Sequence, residues 1–347
     1  MAMVDWDSAA AVGRRLVPPG PDVSAAEAGE AVESLTAAAA AAVSPVRATT
    51  GLTADPALNR TIVVDRPAWI DSNVTGMRLL TRSLEQRMDQ RRDPNSLSAT
   101  AGGKVSAAQL GAMLSWVATK VLGQYEAITP AGQPGRLLLV APNIVAAERQ
   151  LDVPPADFRM WVCLHEETHR VQFGATDWLE GHFRAEVDTF LSGVELGNAE
   201  ALRRLAAVAG AVVQVLRGAS GASIVDAAQT PAQREVFERL TAFMSLLEGH
   251  ADYVMDAVGP EVVPSLDRIR ERFDARRQNP GAGDGLLRRL MGMDAKLRQY
   301  TDGRRFVTGV MERVGIEGFN QVWTSPRTLP TTAEIAEPQL WVTRVVG

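Results

Sequence analysis

Apolar residues recur along most of this chain at three- and four-residue intervals, the spacing of helices that each turn one face to a core. A short first helix is predicted to end at Pro18-Pro19-Gly20-Pro21. Ser24-Ala25-Ala26-Glu27 is a capping box, which predicts a helix from there to about Val43, with Val32, Leu35 and the alanines as its apolar side. Residues 61–65 predict a short strand, and Trp69, Ile70, Val74, Met77 and Leu80 predict a helix after Pro67. A loop is expected from Arg91 through Gly103. Leu110, Leu114, Trp116, Val117, Val121 and Leu122 then predict a helix over about 106–127.

The strongest strand signal is Arg136 to Ala141, bounded by Pro134-Gly135 and Pro142-Asn143. Next comes a core helix over Phe158 to Phe173, with Pro154, Pro155 and Asp157 at its start and Gly174 at its end. After a turn, helical segments are expected to about Leu216, and a loop at 218–221. Thr230-Pro231-Ala232-Gln233 opens a long helix that stops at Gly259-Pro260. A loop at 276–285 and a helix around 306–314 complete the pattern. The expected fold class is mainly α, with a small β-sheet beside the helix over 158–173. The chain reads as a single domain, 1–347, with an N-terminal helical part (about 1–130), a central core (about 131–260) and a C-terminal helical part (about 261–347).

Composition narrows the class. Of 347 residues, 46% are apolar, enough for a sizeable core, and alanine-rich stretches favour helix over sheet. The net charge of −5 with no long basic run argues against a nucleic-acid partner. One cysteine rules out an intrachain disulfide and fits a reducing compartment. No signal-like start and no membrane-length apolar run is present, so the protein is expected to be soluble and cytoplasmic. Oligomeric state is not legible.

The chemistry lies in the core helix. His165-Glu166-Glu167-Thr168-His169 is an H-E-x-x-H motif in a chain with four histidines. Residues four apart on a helix are roughly 40° apart around the axis and about 6 Å along it, so both imidazoles can reach one ion. Zn²⁺ takes nitrogen ligands at about 2.0–2.1 Å in tetrahedral geometry. Glu166 projects from the flank, where its carboxylate can act as general base toward a metal-bound water attacking a peptide or amide carbonyl. Two histidines and two glutamates within a core helix need such a reason, because unpaired buried charge is costly. Cys163 sits roughly 200° around the helix from His165 and reads as a small core residue.

A catalytic zinc usually has a third protein ligand. The spacing for a third histidine close behind the motif asks for Gly at 172 and His at 175, where this chain has Gln172 and Ala175. Glu248 is the better candidate. It lies in the long helix begun at Thr230, with Asp252 one turn later to fix the tautomer of a ligand histidine. Gly249 is costly inside a helix, and close approach of the two metal-bearing helices would explain it. The bland alternative is a glutamate on a partly exposed helix face. His182 is a weaker ligand candidate. His250 points roughly 200° away from Glu248 and reads as a satisfied helix histidine or an outer partner. Tyr253 is a weakly supported oxyanion donor.

Four segments resemble the actinobacterial zincin-like zinc-dependent metallopeptidase family sometimes labelled coenzyme F420 biosynthesis-associated. They are Val4 to Asp7 with Arg14 to Pro21; Val64 to Pro67; Pro142 to Val145 running into Trp161 to Phe173; and Leu247 to Ala251. The resemblance implies a mainly helical zincin-like fold with zinc at the H-E-x-x-H. The F420 label reflects gene association, and F420 binding is not expected. Glu248 with Asp252 is similar to the E-x-x-x-D of gluzincins, although in thermolysin-like examples that glutamate follows the second histidine much sooner. The implied activity is zinc metallopeptidase or hydrolase, acting on a peptide or protein. The rival readings are a binding or regulatory protein on the same scaffold with structural zinc, and an all-helical interaction protein without metal.

Overall fold

The computed structural model describes residues 4–55, 60–90, 98–130, 133–192, 231–278 and 293–347. Of the helical segments expected up to Leu216, the part beyond residue 192 lies outside these residues, as do the loop at 218–221, the Thr230 cap, and residues 91–97 and 279–285 of the two expected loops; residues 98–103, expected as loop, are helical instead. Among the described residues the fold is mainly α with one small sheet.

Helix α1 (Trp6–Leu16) leads to α2 (Ala25–Thr50), which opens on the Ser24 capping box and ends at Gly51 with φ 65°. It runs past the expected end at Val43 and through Pro45, because its buried row continues as Ala39, Ala42, Val46 and Thr50. That row packs on the motif helix, and the packing outweighs the lost backbone bond at the proline. Val32 is exposed, and Ala31 with Leu35 faces inward instead.

Strand β1 (Thr61–Val64) precedes α3 (Arg66–Gln90) and α4 (Ser98–Val117). The helix expected to reach residue 127 stops at Val117, and β2 (Gly123–Glu126) follows. Then β3 (Arg136–Val140) runs directly into α5 (Ala141–Leu151). The sheet order is β1-β3-β2, with β1 parallel to β3 and β2 antiparallel to it, Gly123 pairing with Leu139. The apolar strand read from sequence is thus the central one, buried along residues 137–140. The short, polar β2 forms an edge.

The motif helix α6 (Pro155–Gly174) and α7 (Leu179–Ser192) come next, then α8 (Pro231–Ala257) and α9 (Leu266–Gln278). The helix expected at 306–314 is part of a longer α10 (Met293–Phe319), kinked at Gly315. Short helices α11 (Thr332–Ala336) and α12 (Pro338–Val345) close the chain.

Two apolar clusters share the interior. One joins α1, α3, α4, α7, α10 and the first five turns of α8; the other joins α2, β3, α5, α6 and the end of α8. Where α8 crosses α10, a Cβ on Gly249 would land on the backbone of Gly303, and a Cβ on Gly303 would land on the carbonyl of Ser245. Gly249 therefore serves a close approach, as expected, but to α10 rather than to the motif helix. Among the described residues, no helix is long and apolar enough to cross a membrane.

Candidate metal centre

Helix α6 is apolar on the side that meets α2 and β3, where Phe158, Val162, Cys163 and Leu164 are buried. Its remaining face turns His165 and His169 toward α8. The two imidazole Nε2 atoms lie 3.1 Å apart. Glu248 enters from α8, its Oε2 at 3.4 Å from His165 Nε2 and 3.8 Å from His169 Nε2. In a tetrahedron of ligands at about 2.0–2.1 Å from a zinc ion, neighbouring donors are separated by about 3.3 Å. The three observed separations bracket that value, so the donor set fits zinc in both chemistry and spacing. Among the described residues these three form the cluster of ligand-type side chains able to hold a metal.

The far nitrogens of the imidazoles are held differently. His169 Nδ1 donates to Gln172 Oε1 at 2.9 Å, which leaves the Nε2 lone pair directed at the centre. Gln172 is fully buried, and its Nε2 donates to the Leu247 carbonyl at 3.0 Å and to His250 Nδ1 at 3.1 Å. His250 is thus the outer partner of the Gln172 amide, packed against the Phe319 and Trp323 rings. Burial, helped by nearby His169, pushes its pKa down to about 3, so it stays neutral and can accept. Sequence reasoning used Gln172 only to exclude one ligand spacing. Its position three residues after His169, on the same helix face, was the available signal.

His165 Nδ1 lies 3.2 Å from the thioether of Met255. Asp252 was expected to fix a ligand histidine and does not. Its carboxylate accepts from Arg270 Nη1 at 2.7 Å, and Arg270 Nε donates to Asp256 at 2.6 Å. A guanidinium offers two donors in a fixed fork, which captures the aspartate more strongly than a neutral imidazole could. Asp252 still acts on His165 through space. Burial lowers that histidine's pKa, but Glu248, Glu166 and Asp252 together outweigh burial and raise it.

Glu166 is buried beside this cluster, and the edge strand lies against it. A Cβ on Gly123 would fall 2.5 Å from Glu166 Cγ and 2.8 Å from its Oε1, so only glycine leaves room for the carboxylate. Glu167 faces elsewhere, paired with fully buried Arg170. Cys163 points into the core toward the Leu35 carbonyl, as expected, and burial raises its pKa strongly. His182 lies away from the centre, edge-on to Trp178 and Phe243. Tyr253 is half-buried against both apolar clusters.

Residues 4–342 match the family model described as zincin-like metallopeptidase. The chain belongs to this family. Its fold is similar to a crystal structure from Chloroflexus aurantiacus described as a "putative hydrolase with a novel fold", at 28% identity over 98% of each chain and a TM-score of 0.69. Comparison with curated proteins finds no match. The family supports a metallopeptidase-type hydrolase, and its peptidase character suggests peptide substrates.

Proposed function

We propose that the protein is a zinc-dependent hydrolase of peptide or amide bonds, with His165, His169 and Glu248 as metal ligands and Glu166 as general base. The convergence of two imidazole nitrogens and one carboxylate oxygen at near-tetrahedral spacings carries this reading. Zinc held there would polarise a scissile carbonyl and lower the pKa of a water molecule. Glu166 would take that water's proton and pass it to the leaving amine. Gly123, with no Cβ, leaves room for that carboxylate on the strand side.

The same strand supports a peptide substrate. Among the described residues β2 pairs with β3 on one side only, so its other edge can receive an extended chain by strand addition. The edge that could do this is β2, not the apolar β3 that dominated the sequence pattern. We further propose that the chain is one domain and that, having a single cysteine and so no possible intrachain disulfide, it works in a reducing compartment such as the cytoplasm.

The test is metal analysis of protein purified without added zinc, followed by a peptide-library cleavage assay on wild type and Glu166→Gln. Near-stoichiometric zinc, with cleavage by wild type and none by Glu166→Gln, is the expected result. Zinc bound without cleavage by either protein would point to a non-catalytic scaffold. Near-zero bound metal would overturn the zinc site itself.

A further inference from the structure

Arg66 opens α3 and is buried despite its charge. Its Nε donates to Asn143 Oδ1 at 2.7 Å, and its Nη1 donates to the carbonyls of Pro18 and Pro19 at 3.0 and 2.5 Å. Asn143, in the first turn of α5, is buried as well. Its amide nitrogen donates to the carbonyls of Ala118 and Val121 at 2.7 and 2.6 Å. Both carbonyls belong to the connection from α4 into β2. The Val140 amide adds a third tie to that connection, donating to Leu122 O at 2.8 Å. The next residue is Gly123.

Val121 and Leu122 are apolar and would pack acceptably in more than one register. Polar groups are less permissive, because a buried carbonyl without its donor is costly. The Asn143 donations therefore select one path into β2. The selection matters because a one-residue slip of a strand exchanges its faces. In the observed register Gly123 and Tyr125 face α6, while Gln124 accepts from the Trp69 indole and Glu126 accepts from Ser72 and Arg136 on the other side. A slip would bring a side chain to the place where the Glu166 carboxylate allows only glycine.

We propose that the Arg66–Asn143 pair is a positioning device: it fixes the entry into β2 and, through Gly123, the Glu166 carboxylate. The proposal rests on the reading of Glu166 as general base. Neither residue touches the reacting atoms. A misplacement of about 1 Å in a catalytic group can cost about a hundredfold in rate, so a device at this distance can control turnover.

Asn143→Asp separates the two halves of the node. It keeps an acceptor for Arg66 and loses both donations to the connection. The readouts are amide hydrogen exchange over 121–126, zinc content, thermal midpoint, and kcat and KM for a peptide that wild type cleaves. Expected are exchange faster by about tenfold or more at 121–126, unchanged zinc content, KM within about twofold, and kcat lower by about ten- to a hundredfold. Gly123→Ala, which displaces Glu166 directly, should reproduce the loss in kcat, and the double variant should lose little more than the worse single. Unchanged exchange at 121–126, unchanged kcat in Asn143→Asp, or fully multiplicative losses in the double variant would overturn the proposal. A lower thermal midpoint with normal kcat would show the node to be structural only. If wild type cleaves nothing and matches Glu166→Gln, the hydrolase reading falls, and this inference with it.

Discussion

Gln172 holds His169 by the nitrogen that faces away from the candidate metal centre: His169 Nδ1 donates to Gln172 Oε1 at 2.9 Å, and the Gln172 side chain is itself fully buried. The same amide spans to α8 through the Leu247 carbonyl and His250. One side chain thus sets the tautomer of one proposed ligand and ties its helix to the turn that carries another, Glu248. Gln172→Leu should lower zinc affinity by about 10- to 100-fold, the usual cost of losing such an outer partner. Chelator competition measures this directly, and an unchanged affinity would show that the amide serves only to join the helices.

The proposed ligand set makes a sharper demand. His165→Ala, His169→Ala and Glu248→Ala should each lose most of the bound zinc, whereas His182→Ala should keep it, since His182 lies against Trp178 and Phe243. Glu166→Gln should retain the metal and lower turnover by about 10²- to 10⁴-fold. Because zinc would bind the folded state in preference to the unfolded one, stripping it should also lower the thermal midpoint of wild type. Metal content and melting of the same samples check all of these. Full zinc occupancy in Glu248→Ala would move the third ligand elsewhere.

Gly249 and Gly303 let α8 and α10 approach at a distance that no other residue permits. Gly249 adjoins Glu248, so pressure at this crossing is transmitted to a proposed ligand. Gly249→Ala should cost about 1–3 kcal/mol through overpacking, despite the better helix propensity of alanine. Zinc affinity should fall with it. Denaturant titration and metal titration are the measurements. A gain in stability would mean that the helices can separate without penalty.

These residues also show where the sequence was readable. The H-E-x-x-H motif and its apolar flank declare the α6 helix, because periodicity and ligand spacing agree. Glu248 was within reach because the cap-and-period pattern of α8 places it on a continuous core helix. Strand β2 was hidden. Gly123-Gln124-Tyr125-Glu126 has little apolar alternation and follows Val117 to Leu122, which continues a helical pattern. Its pairing with β3 is a tertiary fact that no local window contains. The partner of Asp252 was hidden for the same reason: the nearby imidazole was legible from helix geometry, and the return of α9 beside α8 was not.

That return supplies the last prediction. Arg270 is largely buried, stacks over the Trp161 ring with its guanidinium carbon 5.3 Å from the centroid, and binds both Asp252 and Asp256. Burial disfavours its charge, but the two aspartates outweigh that and raise its pKa. Arg304 approaches the same carboxylates from α10: its Nη2 pairs closely with Asp256, but its Nη1 is 3.7 Å from Asp252, and it is too exposed to replace Arg270 there. Arg270→Met keeps packing on Trp161 while leaving Asp252 with only the long Arg304 contact, whereas Asp256 keeps its Arg304 pair. Breaking a buried pair from one side typically costs about 3–5 kcal/mol, much of it from the charge left behind. Asp252→Asn in the same chain removes the charge left without a close partner, so the double variant should melt above Arg270→Met alone. Thermal denaturation of the three proteins decides the point: no recovery in the double variant would mean that Arg270 stabilises through Trp161 rather than through Asp252.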